Sequence, residues 1–234
     1  MSPTPRELAR ERTEAEILRL ACDQLATAGP AELSLRAIAR ELGIVSSAIY
    51  RYVRNRDELL TLLVIDSYNE LGDAVDQATS AVADEDYLGR FLTLGRAVRT
   101  WALAEPARYA LLYGTPVPGY DAPGDRTTAP GTRVAFALAK IADEAWRAGR
   151  LRESGRVASG AASTLAEDFA RIRDELELAL PPDYVQPTLF VWSSLFGAVT
   201  FEVFGQYGTD TLSDPSALFE AHLHQLAGVL GLTD

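Results

Sequence analysis

Residues 33–60, LSLRAIARELGIVSSAIYRYVRNRDELL, restrict the fold of this chain more than any other stretch. Leu35, Ile38, Ala39 and Leu42 stand at i, i+3, i+4 and i+7, one apolar stripe of a short helix. Ser34 occupies its N-cap position. Gly43 follows the last apolar residue, where a helix end favours a residue that tolerates positive φ. Ser46 and Ser47 open a second short helix that runs to Tyr50-Arg51-Tyr52. Asn55-Arg56-Asp57-Glu58 then reads as a cap with a Glu three residues on, the start of a longer helix. Two short helices about such a turn form a helix-turn-helix, whose second helix is the candidate reader of a DNA major groove.

Charge is divided along the chain in a way that suits this reading. The net charge is −11 over 234 residues. Residues 1–56 carry nine Arg and seven acidic residues, a balance of +2, and the remainder carries −13. Such a division steers one end toward phosphate and repels the other. The single cysteine, Cys22, falls on an apolar helix face and reads as a buried structural thiol. One cysteine allows no internal disulfide, which fits a reducing compartment. The charged N-terminus lacks an apolar signal core, and the apolar run 189–204 is broken by Ser193, Ser194, Thr200 and Glu202. The expectation is a cytoplasmic protein without a membrane partner.

The remaining chain reads as helix throughout. Residues 1–12 form a polar arm whose Arg6, Arg10 and Arg12 suit phosphate. The first helix becomes firm at Thr13, which has capping-box spacing to Glu16. A long helix covers residues 56–80, and further helices are expected over 86–104, 106–113, 134–149, 157–176, 184–207 and 214–230. Residues 114–131, GTPVPGYDAPGDRTTAPG, lack periodicity and read as a functional or mobile loop. The helix over 184–207 is apolar on nearly every side and is expected to be buried on nearly every side.

Arg36 can reach a guanine edge or a phosphate. Ser46, Ser47 and Ala48 lead the recognition helix, Tyr50, Arg51 and Tyr52 hydrogen-bond phosphates or bases, and Arg54 and Arg56 suit the backbone. Trp101, Tyr109, Tyr113, Phe136, Trp146, Phe169, Trp192 and Phe196 lie on helices expected to surround a central cavity, a setting for an apolar or neutral small molecule. No metal site is expected: His222 and His224 are two apart and diverge, and Glu220 with His224 makes only a pair. Gly-rich phosphate loops and the G-x-S-x-G elbow are absent, so neither a cofactor nor an enzyme is expected.

The residues Leu33-Ser34-Leu35-Arg36-x-Ile38-Ala39, Gly43-Ile44, Ile49-Tyr50-x-Tyr52-Val53-x-Asn55-Arg56 and Leu59-Leu60 resemble the TetR family of bacterial one-component regulators. Trp192-Ser193-Ser194-Leu195-Phe196-Gly197 is similar to the W-x-x-x-H-G signature of one C-terminal subgroup, with Phe196 in place of His. The resemblance implies an all-α chain of about nine or ten helices. A three-helix DNA-binding domain over residues 1–55 would precede an effector-binding and dimerisation domain over 56–234. It implies a homodimer on a pseudo-palindromic, double-stranded operator; an effector is expected to tilt the long helix and respace the recognition helices. The last two helices would form the dimer interface through Ser193, Gly197, Phe201, Phe219, Leu223 and Leu226. A repressor released by a small effector is the leading expectation. An effector-independent regulator or activator, and a helical enzyme that borrowed the motif, are the alternatives.

Overall fold

A computed structural model of the chain describes residues 4–152 and 164–232. Eleven α-helices and no strand occur among the described residues. They are α1 (Pro5–Ala28), α2 (Leu35–Glu41), α3 (Ser46–Ile49), α4 (Arg56–Thr79), α5 (Tyr87–Ala104) and α6 (Pro106–Tyr113). Then come α7 (Gly124–Gly131), α8 (Arg133–Arg147), α9 (Ala166–Glu175), α10 (Val185–Val203) and α11 (Pro215–Leu230). Packing divides them into two compact units, Met1–Glu70 with Glu105–Gly131, and Leu71–Ala104 with Thr132–Asp234. The division does not follow the expected boundary at residue 55. The 24-residue α4 carries residues of both units.

In the first unit, Ile17, Leu20 and Leu25 of α1 meet Leu35 and Ile38 of α2, Ile49 of α3 and Leu59, Leu60 and Leu63 of α4 in one core. Helix α1 starts earlier than its apolar pattern suggests. Thr4 Oγ1 accepts from Glu7 N at 3.3 Å, Glu7 Oε2 accepts from Thr4 N at 2.7 Å, and Pro5 takes the first helical position. Thr13 is no cap, since its hydroxyl donates to Ala9 O at 2.9 Å. This first turn is held by its cap rather than by burial, and an exposed Arg10–Glu14 ion pair at 2.7 Å follows it. Cys22 sits half-buried against the same core, and burial raises its thiol pKa against the opposing pull of the Arg108 guanidinium.

Residues 114–131 are a brace with a helix in it. Val117 joins the N-terminal core, and the hydroxyls of Tyr120 and Thr61 lie 3.0 Å apart. Arg126 of α7 donates to both carboxylate oxygens of Glu58 at 3.0 and 3.1 Å. Frequent Pro and Gly hid the helix, because its anchoring rests on single residues with no apolar period. Helix α6 is fastened beside it. The buried Arg108 donates to Ser67 Oγ at 3.1 Å and pairs with Asp66 and Glu70, all three on α4.

The second unit is built around α5, which packs on α8, α10 and α11. Arg96 is bidentate to Glu220 at 2.6 and 2.8 Å, and Arg99 is bidentate to Glu202 at 2.6 and 2.7 Å. The Arg96 bond lowers the pKa of Glu220. Of the helix expected over 157–176, Val157 and Ala161 lie outside the described residues. Helix α10 departs from expectation: Leu189, Phe190, Phe201 and Phe204 are exposed in this chain, so one side of it stays open.

Gly95 sets how closely α11 approaches α5, since a Cβ there would lie 2.4 Å from Leu223 Cδ2. Gly95→Val is expected to lower the unfolding free energy by about 1–3 kcal/mol in urea titrations, through overpacking against Leu223. Gly95→Ala is expected to cost less, because the Leu223 methyls can rotate away.

Candidate nucleic-acid interface

The turn between α2 and α3 is built by a specific backbone motif. Ser34 Oγ accepts from Ala37 N at 3.3 Å and starts α2. At its other end Gly43 takes φ 67°, Gly43 N donates to Arg40 O at 3.1 Å and Ile44 N to Ala39 O at 3.0 Å. This is a Schellman ending, and only glycine accepts its left-handed residue without strain. Ile44 then packs on the core and Ile49 is fully buried, which orients the α3 backbone. The last residues of the expected recognition helix are a turn instead: α3 ends at Ile49, with Arg51 N bonded to Ala48 O and Tyr52 N to Ile49 O.

Ser46, Ser47, Tyr50, Arg51, Arg54 and Arg36 are all exposed, and Ala48 is partly so. Arg40, one turn after Arg36 on α2, is exposed as well and belongs to the same cationic set. Among the described residues no carboxylate pairs with Arg36, Arg40, Arg51 or Arg54, whereas Arg10 and Arg19 are neutralised by Glu14, Glu16 and Asp23. Four uncompensated guanidiniums around two serines and a tyrosine suit phosphate and base edges.

Two expected contact residues are placed otherwise. Arg56 Nη2 donates to Pro30 O at 2.7 Å and its Nε is buried, so this side chain ties the start of α4 to the turn between α1 and α2. Its charge is spent on a backbone carbonyl inside the unit. Tyr52 is partly buried against the core, with the Arg10 guanidinium 5.9 Å from its ring centroid. The turn after α3 thus leaves Tyr50 outward and brings Tyr52 against the core. Val45, which the periodicity left unassigned, is exposed at the N-cap of α3.

The residues expected around an effector do not form one described cluster. Tyr109 and Tyr113 lie in the unit of the helix-turn-helix, their rings 5.0 Å apart, and burial pushes the Tyr113 phenol pKa well up. Trp101, Phe136, Phe169, Trp192 and Phe196 lie in the other unit. There Trp192 and Phe196 meet at 6.2 Å, Trp146 packs on Tyr184 at 5.2 Å, and Phe169 is buried. Phe136 is exposed on a separate cleft with Lys140 and Leu178. Trp101 is buried, and its indole N–H has no hydrogen-bond partner among the described residues.

The family model for bacterial regulatory proteins of the tetR family matches residues 17–63, and that for the tetracyclin repressor-like C-terminal domain matches residues 91–226. The chain belongs to the TetR family. An HTH-type transcriptional regulator of Mycobacterium tuberculosis is 46% identical over 222 residues, covering 95% of this chain and 94% of its own length. The crystal structure of the regulatory protein SCO4313 superposes with a TM-score of 0.74 at 35% identity, covering 96% of this chain and 100% of that one. A protein from Rhodococcus sp. RHA1 shares the fold at 23% identity, with a TM-score of 0.64 and coverage of 92% and 95%. This TetR-family chain is a DNA-binding transcriptional regulator, and no described helix is long and apolar enough to cross a membrane.

The placements separate exposed, unpaired guanidiniums from internal ties. Arg51→Ala or Arg54→Ala is expected to reduce the slope of log affinity against log salt by about one each, with the fold intact. Arg56→Ala is expected to lower the melting temperature and leave that slope unchanged. The combined Arg36→Ala and Tyr50→Ala change is expected to remove operator protection in footprinting.

Proposed function

We propose that this regulator is a repressor that grips a pseudo-palindromic operator as a homodimer and releases it on binding a small effector. The observation that carries this reading is the open side of α10 and α11. Phe190, Ser194, Gly197, Ala198, Phe201 and Leu226 border an apolar groove of about 510 Å³ there. Phe190 and Phe201 are each nearly half exposed in the single chain. Large apolar side chains grouped on one face ask for a covering surface. A two-fold partner offers the same helices, and small residues at Ser194, Gly197 and Ala198 permit close approach.

The interface proposed differs from the one implied by resemblance. Ser193, Gly197 and Phe201 face outward and Leu226 borders the groove. Phe219 and Leu223 do not belong to it: both are buried within their own chain, Leu223 against Gly95 and Phe219 beneath Arg99. Two copies joined this way would have to hold their recognition helices one DNA turn apart, roughly 34–36 Å or a multiple.

The effector proposed is neutral or apolar with one hydrogen-bond acceptor. Trp101 supports the acceptor, because a buried N–H without a partner costs about 1–3 kcal/mol until something accepts from it. RolR, of similar fold at 16% identity and a TM-score of 0.50, was solved with resorcinol. That likeness concerns the fold alone, so the ligand class rests on Trp101. Release would run through α4, which carries residues of both units and holds α6 through Arg108.

Phe201→Asp is expected to shift the protein to a monomer in sedimentation velocity and to weaken operator binding at least tenfold; an unchanged dimer sinks the interface. In a metabolite panel read by operator release, Trp101→Phe is expected to abolish the response to the releasing compound and keep operator affinity. Equal release of both proteins removes Trp101 from the site.

A further inference from the structure

We infer that Val45 is a specificity-determining residue that reads the 5-methyl group of a thymine in the major groove. This rests on the DNA-binding assignment and adds a base contact that neither the motif nor the family match supplies. Val45 is 71% exposed, the most exposed large apolar side chain among the described residues. It takes no part in the core that Ile44 and Ile49, on either side of it, help to form.

Its position makes the exposure unusual. Val45 is the N-cap residue of α3 and provides no side-chain cap. Valine is among the poorest residues for that position, where a hydroxyl or carboxylate would bond a free backbone N–H. Thr4, Ser34 and Asp214 cap α1, α2 and α11 through their side chains, whereas α6, α8, α9 and α10, like α3, start without such a bond. Val45 differs from the apolar N-cap Leu165 in its exposure, 71% against 42%, so its side chain serves neither cap nor core.

The surroundings say what the side chain meets. Ser46, Ser47 and Tyr50 are exposed beside it in sequence, and Arg36, Arg40, Arg51 and Arg54 on α2 and after α3 have no carboxylate partner among the described residues. An apolar protein partner would leave those cations without counter-charge. DNA supplies phosphate to them, and the thymine methyl is the apolar feature of the major-groove edge. Ser46 and Ser47 can bond several bases, so they discriminate weakly. A branched aliphatic group beside them prefers a methyl-bearing base over cytosine or a bare uracil edge.

The test uses the full-length protein and a duplex chosen by selection from random sequence. Each thymine is replaced in turn by deoxyuridine, which removes only the methyl. The wild-type protein is expected to lose about fourfold in affinity at one thymine per half-site, the worth of one buried methyl. Val45→Ser is expected to bind thymine and uracil duplexes alike, at the affinity the wild type shows for uracil. The same variant is expected to melt at a higher temperature, because its hydroxyl caps α3. A purely structural role predicts that stability and binding move together. The inference is overturned if no uracil substitution weakens wild-type binding, or if Val45→Ser keeps the wild-type preference for thymine. Failure of the wild-type protein to select any duplex would overturn the DNA-binding assignment itself, and is distinguishable from both.

Discussion

The buried guanidinium of Arg108 is the interaction on which the first unit depends. A charge withdrawn from water must be paired, and Arg108 finds Asp66, Ser67 and Glu70 on successive turns of α4. Those three residues share one face because they lie one, three and four positions apart. Arg126 to Glu58 and Tyr120 to Thr61 repeat the pattern nearer the start of α4. The part of α4 that belongs to the first unit is therefore held by polar ties to α6, residues 114–123 and α7. Directional bonds and close-packed side chains both favour discrete arrangements over continuous deformation. A helix held by them is suited to stand in one of two positions.

The chemistry of the two exposed faces is divided as sharply as the charge. Around α3 the guanidiniums are left unpaired and the side chains between them are small. In the second unit several arginines are spent: Arg96 and Arg99 clasp α11 and α10, and Arg90 pairs with Glu144 at 2.5 Å. On α10 the large exposed side chains are aromatic and aliphatic: Leu189, Phe190, Trp192 and Phe201. One face thus attracts a polyanion over distance, and the other gains only from close apolar contact. The acidic remainder of the chain discourages DNA from any face but the first.

Legibility in the sequence followed the mechanism that holds each element. Helices fixed by burial, such as α5 and α8, show their stripes and were readable. Gly43 and Ser34 were readable because their backbone roles demand particular residue types. The first turn of α1 was missed although its capping box, Thr4 to Glu7, is plain once sought; it has no apolar period. Helix α7 was missed because Pro and Gly obscure a segment anchored by Arg126, Tyr120 and Val117 alone. Arg56 and Tyr52 were assigned outward on residue type, and Pro30 O and the core claimed them. Partners distant in sequence leave no trace in local spacing.

By itself, the sequence determined the all-α class, the helix-turn-helix and the family, because periodicity, caps and a left-handed glycine act over a few residues. Tertiary structure alone decided which side chains of that motif remain free. It turned Tyr50 and Val45 to solvent, withdrew Tyr52 and Arg56, and enclosed Phe219 and Leu223 while leaving Phe190 and Phe201 open. The reason is that exposure is not a property of a residue or its spacing. It depends on which other elements arrive to cover it, and long-range packing settles that.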